Sequence, residues 1–250
     1  MTDVFAGSCS PTCRAGVDST WLRVERLGAR ILIVTRSPTG EPESVPYRLL
    51  GVVDGTQLTW DPPSPSRPSQ LNQGQIADLE SSEFFSVSSQ DAQHPFLFTQ
   101  FMPTAPPSTD DCATLGRSRC SLGDSEWVSL ISTQQFLQRY VFFTDPSYGT
   151  TNLVVIRKKG PAGFQDVELE CFGTLSGWRP VGNAGTFEVS HVDLVRAGVP
   201  VKDCGVSRHR AQSSGAFGIV VWGTDLGVSY GYPAGGNFGA TNDVVVPVVR

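Results

Sequence analysis

Three histidines, the glutamates Glu168 and Glu170, and six cysteines are the residues of this chain whose types could carry chemistry. His94 precedes Pro95 in a turn, and His209 sits in Ser207-Arg208-His209-Arg210. His191 belongs to an alternating strand, where it shares a face, read as outward, with Val189 and Asp193. A Ser-His-Asp triad is defined by geometry and not by chain position, but no Gly-x-Ser-x-Gly elbow occurs to support one. Glu168 and Glu170 lie two apart on a strand and so on one face. That spacing suits a glycosidase pair or a Ca²⁺ site, and it equally suits a polar outer sheet face, which is the preferred reading. Pro233-Ala234-Gly235-Gly236-Asn237 leads into no helix, so its glycines do not form a phosphate cradle. No Cys-x-x-Cys with a nearby histidine occurs. No metal, no cofactor and no catalytic residue is expected.

The cysteines fall into local groups: Cys9 and Cys13, Cys112 and Cys120, Cys171 and Cys204. All six are disulfide candidates, and fifteen pairings are open to them. Cys112 and Cys120 share one Ser/Thr/Asp/Pro-rich loop, which makes a local bridge between them economical. Disulfides belong to oxidising compartments, so the chain is expected to be secreted or on the outer cell surface. The start at Met1 shows no signal peptide. Ala6-Gly7-Ser8-Cys9 has the look of a lipoprotein site without its hydrophobic lead, and the sequence reads as an excised piece or one with a misplaced start.

Aromatic residues offer the other route to function. Trp21, Trp60, Trp127, Trp178 and Trp222, with Tyr230 and Tyr232, could furnish a carbohydrate or protein contact. The last well-formed block, Phe217 to Asn237, concentrates them, and Trp222, Tyr230, Tyr232 and Asn237 are the binding candidates. In a strand Tyr230 and Tyr232 point to one face. The competing reading is that this block is the terminal core hairpin, with its aromatics packed inside.

Positioning these residues is work for β-strands. Ile219-Val220-Val221-Trp222 is a continuous apolar run, as in a strand buried on both faces. Gly223 to Gly227 reads as a hairpin turn, and Pro233 ends the pairing. Earlier strands are expected at Trp21–Leu27, Ile31–Val34, Tyr47–Val53, Thr56–Trp60, Phe84–Ser88 and Phe96–Met102. Asp54-Gly55 turns between the third and fourth of these, and the proline-rich stretch 61–68 must run over the surface. Later strands are expected at Val141–Phe143, Leu153–Ile156, Val167–Phe172 and Phe187–Val192. The best helix candidate is Ser132–Tyr140, capped by Ser132 or Thr133, with Phe136, Leu137 and Tyr140 on one face. The second half echoes the first at an offset of about 121 residues, Ile31–Val34 over Leu153–Ile156 and Phe96 over Phe217.

The fold class is therefore all-β: two tandem β-sandwich or jelly-roll-like modules with one short helix between them. The expected division is an irregular lead-in at 1–20, a first β module at 21–110, a Cys-bearing loop and short helix at 111–140, and a second β module at 141–250. A net charge of −5, with no basic cluster beyond Arg157-Lys158-Lys159, excludes nucleic acid and anionic lipid as partners. No apolar run is long enough to span a membrane as a helix.

A set of motifs goes further. Ser89-Gln90-Asp91-Ala92-Gln93-His94-Pro95-Phe96 is followed by Gly123-Asp124-Ser125-Glu126-Trp127. Gln135 to Pro146, read QFLQRYVFFTDP, precedes Thr151-Asn152-Leu153-Val154-Val155. Phe217-Gly218-Ile219-Val220-Val221-Trp222-Gly223 and Ser229-Tyr230-Gly231-Tyr232-Pro233-Ala234-Gly235 close the set. In combination these resemble the N-terminal domain of IgGFc-binding proteins, in the bacterial branch common among myxobacteria, over most of residues 21–248. The resemblance implies an extracellular, β-rich, disulfide-bearing domain with no catalytic residues to carry over. Animal members are secreted mucin-like proteins in which this domain is linked to binding the Fc part of immunoglobulin G. The chain departs from them in lacking von Willebrand type D repeats, and from the bacterial members in lacking their leading part. Immunoglobulin does not suit a free-living bacterium as a ligand.

The expected function is a secreted or cell-surface binding or adhesion module, non-catalytic, with a glycan or an extracellular protein as partner. A carbohydrate-active enzyme using Glu168, Glu170 or His191 on a jelly roll is the alternative, and a structural spacer in a larger surface protein is the third reading.

Overall fold

The computed structural model describes residues 30–33, 44–102, 123, 126–205, 208–225, 228–237, 239, 240, 242 and 244. Cys9, Cys13, Cys112 and Cys120, the strand expected at Trp21–Leu27 and the lead-in at 1–20 lie outside them. The described residues form β-strands, with a single turn of 3-10 helix at Thr133–Gln135.

Two four-stranded sheets come from residues 30–129. One has the order β1-β6-β3-β4, built from β1 (Arg30–Ile33), β6 (Phe85–Ser89), β3 (Thr56–Asp61) and β4 (Gln70–Leu71). The other, β5-β2-β7-β8, uses β5 (Ile76–Ser81), β2 (Val45–Gly51), β7 (Phe96–Phe101) and β8 (Trp127–Ser129). The strands on either side of Asp54-Gly55 do not pair with each other. β2 pairs with β5 and β7, whereas β3 pairs with β4 and β6, so the turn carries the chain from one sheet to the other.

The second half forms one nine-stranded sheet. Its strands are β9 (Leu137–Phe143), β10 (Thr150–Lys158), β11 (Val167–Leu169), β12 (Gly173–Thr174), β13 (Arg179–Val181), β14 (Phe187–Arg196), β15 (Val199–Pro200), β16 (Arg208–Asp225) and β17 (Val228–Pro233). Arg208–Gln212 of β16 pair with β9, and residues 217–224 pair with β10, with a shift in the β9 pairing between Gln212 and Phe217 of β16. The sheet folds over on itself there. Tyr232 lies opposite Val221, and Phe143 lies opposite Arg208. A flat strand would hold these positions about 40 Å apart, yet the Tyr232 hydroxyl donates to the Phe143 carbonyl.

The middle layer is buried on both sides. Val154, Ile156, Val220 and Trp222 join a core with Tyr47, Leu49, Trp60, Phe85, Phe96 and Phe98 of the first half. Leu153, Val155, Ile219 and Val221 turn the other way, into a second core with Tyr140, Phe142, Leu169 and Leu194. Period-two alternation thus sends one continuous apolar run into two cores. The two halves are also pinned directly: the Asp61 carboxylate accepts from the Asn183 N–H at 2.8 Å and the Ala184 N–H at 3.0 Å.

The expected helix at Ser132–Tyr140 is present only as its first turn. Ser132 caps it, with a reciprocal bond between the Gln135 side chain and the Ser132 backbone. Leu137 to Phe143 instead leaves as β9, because Tyr140 and Phe142 then bury in the second core while the backbone pairs with β16. Tertiary pairing outweighs a weak helical propensity here. The proline-rich stretch 61–68 does run along the surface. It is fastened by Arg67, whose guanidinium lies 4.3 Å over the Phe85 ring and donates to the Pro62 carbonyl at 3.1 Å.

Candidate functional site

The final hairpin places its aromatics on opposite sides. Trp222 pairs with Gly231 and Gly223 with Tyr230 across the β16–β17 ladder. Each glycine leaves room for the ring across from it. A Cβ on Gly231 would stand 2.5 Å from Trp222 Cζ3, and one on Gly223 would overlap the Tyr230 ring. Trp222 therefore faces the first core and is 4% exposed.

Tyr230 and Tyr232 face the second core, stacked at 6.1 Å between centroids. Their hydroxyls tie the two folded layers together. Tyr232 donates to the Phe143 carbonyl, and Tyr230 accepts from the Asp145 N–H at 3.2 Å. Tyr148 meets Tyr230 edge-on at 4.7 Å. Burial raises the Tyr232 phenol above its usual value, which keeps it a neutral donor. Asn237 is exposed and sits elsewhere, where its N–H donates to the Gln135 carbonyl at 2.8 Å and its carbonyl accepts from Gln135 Nε2 at 3.1 Å. Of the four nominated residues, the tyrosine pair is brought together, Trp222 is on the far side of the sheet, and Asn237 is anchored to the 3-10 turn.

The histidines occupy three separate environments. His94 Nδ1 lies 2.7 Å from the Asp91 carboxylate within its own turn, and this bond lowers the Asp91 pKa. His191 does not face outward. It meets Phe84 edge-on at 6.1 Å and Arg179 at 3.3 Å, on the side of the sheet where Val189 is fully buried. His209 stacks on Phe142, holds the Thr144 hydroxyl at 3.1 Å through Nε2, and brings Nδ1 to 3.7 Å from Cys171 Sγ. Its burial lowers its pKa and favours the neutral ring. Cys171 and Cys204 form a disulfide, one of the pairings the spacing left open. A shallow cleft of about 300 Å³, lined by Glu170, Cys171, Asp203, Gly205, Arg208 and His209, opens beside it.

Glu168 and Glu170 are exposed and engaged with neighbours across the strand: Gln212 donates to Glu168 at 3.1 Å, and Arg208 lies 4.0 Å from Glu170. Among the described residues no group of three or more His, Cys, Asp or Glu is arranged to hold a metal ion.

The structure exposes other aromatic surface. Trp127 is 55% exposed on the outer face of the β5-β2-β7-β8 sheet, and Phe143 is 64% exposed on the outer face of β9. Trp127 figures among the sequence's aromatics but not among its chosen four. Its signal was the alternation Trp127-Val128-Ser129, which buries Val128 and turns both neighbours outward.

A family model described as IgGFc binding protein matches residues 7–223 of the chain. No curated protein and no solved structure matches it.

Proposed function

Because the chain belongs to the IgGFc binding protein family, we propose that it is a non-catalytic binding module, secreted or held at the outer surface of a bacterial cell. Its ligand is a glycan or protein of the surroundings, and immunoglobulin is not the ligand of a bacterial member. Family membership is the observation that carries this reading. Two structural features agree with it. The Cys171–Cys204 disulfide suits an oxidising compartment, and large apolar side chains, Trp127, Val141 and Phe143 among them, stand exposed on strand faces. Among the described residues no helix is long and apolar enough to cross a membrane.

Display of the full chain on glycan and surface-protein arrays tests the proposal. Saturable micromolar capture of a glycan or protein is the expected result, and an array with no binder at that level overturns it. Turnover of a polysaccharide by the pure protein, abolished by Glu168→Gln or Glu170→Gln, would replace the binding reading with an enzymatic one.

A further inference from the structure

We propose that Cys171–Cys204 is a thiol–disulfide exchange centre, in which an external thiol reaches Cys171 through the adjoining cleft and His209 stabilises the Cys171 thiolate. The inference goes beyond the binding reading and does not depend on which ligand the module takes. The two sulfurs sit in unlike surroundings. Cys204 is 0% exposed and belongs to the second core. Cys171 is half-buried and lines the cleft of about 300 Å³, with Glu170, Asp203, Gly205, Arg208 and His209 around it. A thiolate attacks the sulfur it can reach, so exchange begins at Cys171.

His209 is the group placed to act on that sulfur, and strand register brings it there. Leu169, just before Cys171 in the chain, lies opposite Ala211, just after His209. The imidazole is 3% exposed, stacks on Phe142 at 5.3 Å between centroids, and has Nε2 3.1 Å from the Thr144 hydroxyl. This leaves Nδ1 3.7 Å from Cys171 Sγ. Burial favours the neutral ring, which has one N–H to give. When the Thr144 hydroxyl donates to Nε2, that proton sits on Nδ1, facing the sulfur. A disulfide sulfur accepts weakly and a thiolate strongly, so the contact tightens once Cys171 carries charge. Among the other charges nearby, Arg208 favours the thiolate, while Glu170 and Asp203 oppose it. Arg208 already lies 4.0 Å from Glu170, and Lys202 donates to the Phe172 carbonyl at 2.8 Å. The imidazole N–H is the contact that tips the balance.

Exchange proceeds in two balanced steps. An external thiolate attacks Cys171 Sγ and the bond to Cys204 breaks. The electron pair leaves on Cys204, which takes a proton from solvent because its apolar surroundings disfavour the charge. Cys171 is then held in a mixed disulfide. A second thiolate attacks the outer sulfur, and Cys171 leaves as the thiolate that accepts from His209 Nδ1–H. Two external thiols are oxidised to one disulfide, and the protein disulfide is reduced to a dithiol. In the reverse direction the Cys171 thiolate attacks an external disulfide, and Cys204 closes the bridge. A stabilised thiolate leaves faster and is more populated as attacker. The substrate class is an accessible thiol or disulfide.

Incubation of the folded full chain with millimolar reduced glutathione, followed by iodoacetamide trapping and peptide mass mapping, tests this. Circular dichroism and tryptophan emission follow the fold in parallel. Glutathione should appear on Cys171 and not on Cys204, in protein whose spectra are unchanged. After reduction, alkylation of Cys171 should show a pH midpoint at least about one unit below the roughly 8.5 of a free thiol. His209→Gln should move that midpoint up and slow alkylation near neutral pH roughly tenfold. Thr144→Val, which leaves the ring and both sulfurs in place, should act in the same direction by less. It carries the test if His209→Gln fails to fold. Reduction that occurs only with loss of the folded spectra, glutathione on Cys204 instead, or a midpoint that the folded variants leave unmoved overturns the centre. The glycan and protein arrays bear on the binding reading alone, so the two proposals fail separately.

Discussion

Gly223 and Tyr230 face each other across the last hairpin, and the phenol ring fills the space that any side chain at 223 would occupy. The same hairpin repeats the relation on its other face, with Trp222 over Gly231. Alternating aromatic and glycine partners let the ladder stay closely packed between two cores.

Gly223→Ala is predicted to destabilise the protein by about 1–3 kcal/mol through overpacking. Removing the ring as well should recover part of that loss, because the two changes act on one contact. A urea-unfolding cycle of Gly223→Ala, Tyr230→Ala and the double variant measures the coupling, and strictly additive losses would contradict the contact.

Tyr232→Phe removes the hydroxyl that joins β17 to the end of β9, where it donates to the Phe143 carbonyl. The expected cost is about 1 kcal/mol, read as a lowered urea midpoint with an unchanged slope. A variant as stable as wild type would show that this tie between the layers contributes nothing.

Stability should fall at high pH. Burial pushes the Tyr140 phenol from its usual 10.0 up to about 12. The folded state therefore holds this proton more tightly than the unfolded chain, and the stabilisation is complete below the unfolded value. It is lost as pH rises through the window between those two values. Tyr47 and Tyr232 are shifted in the same direction by burial. Urea midpoints taken across that range, with tyrosinate absorbance followed in parallel, check the sign; a flat profile would contradict it.

The Cys171–Cys204 bridge closes a loop of sequence separation 33 that contains the strands from β12 to β15. Chain-entropy arithmetic for that length gives about 4 kcal/mol. Cys171→Ser combined with Cys204→Ser should lose stability on that scale in denaturant, with a fall below about 1 kcal/mol counting against the loop-closure account.

Asp61→Ala should cost about 2 kcal/mol, because it strips the Asn183 and Ala184 N–H groups of a charged acceptor that joins the two halves. Differential scanning calorimetry of Asp61→Ala reads this loss, and an unchanged melting temperature would remove the clamp from the list of stabilising contacts.

Much of the fold is legible residue by residue. The run Ile219–Trp222 announces a strand buried on both faces, and Pro233 ends β17 as a residue without an N–H must. The Ser132–Gln135 capping pattern is real, yet it starts only one turn. A local signal specifies how a helix begins, not whether the residues after it find a better partner. The repeat offset sets Ile31–Val34 over Leu153–Ile156. In space Ile31–Ile33 belong to β1, at the end of a four-stranded order, while Leu153–Ile156 lie in β10 between β14 and β16. Apolar runs look alike in sequence whatever their neighbours.

The candidate site was harder to read. Trp222, Tyr230 and Tyr232 are close in sequence, but which face each takes depends on the hairpin register, and a shift of one residue reverses every side. Cys171 and His209 lie 38 residues apart and meet only because β16 pairs with both β9 and β11.

By itself the sequence determined the β class, many of the strands and the family, because alternation and turn residues are local properties. Only the tertiary structure decided that one sheet serves two cores, that the tyrosines of the hairpin fasten layers together, and that a buried histidine lies against one sulfur of the disulfide. Those outcomes depend on which strands pair, and pairing is set by long-range burial that no short stretch of chain encodes.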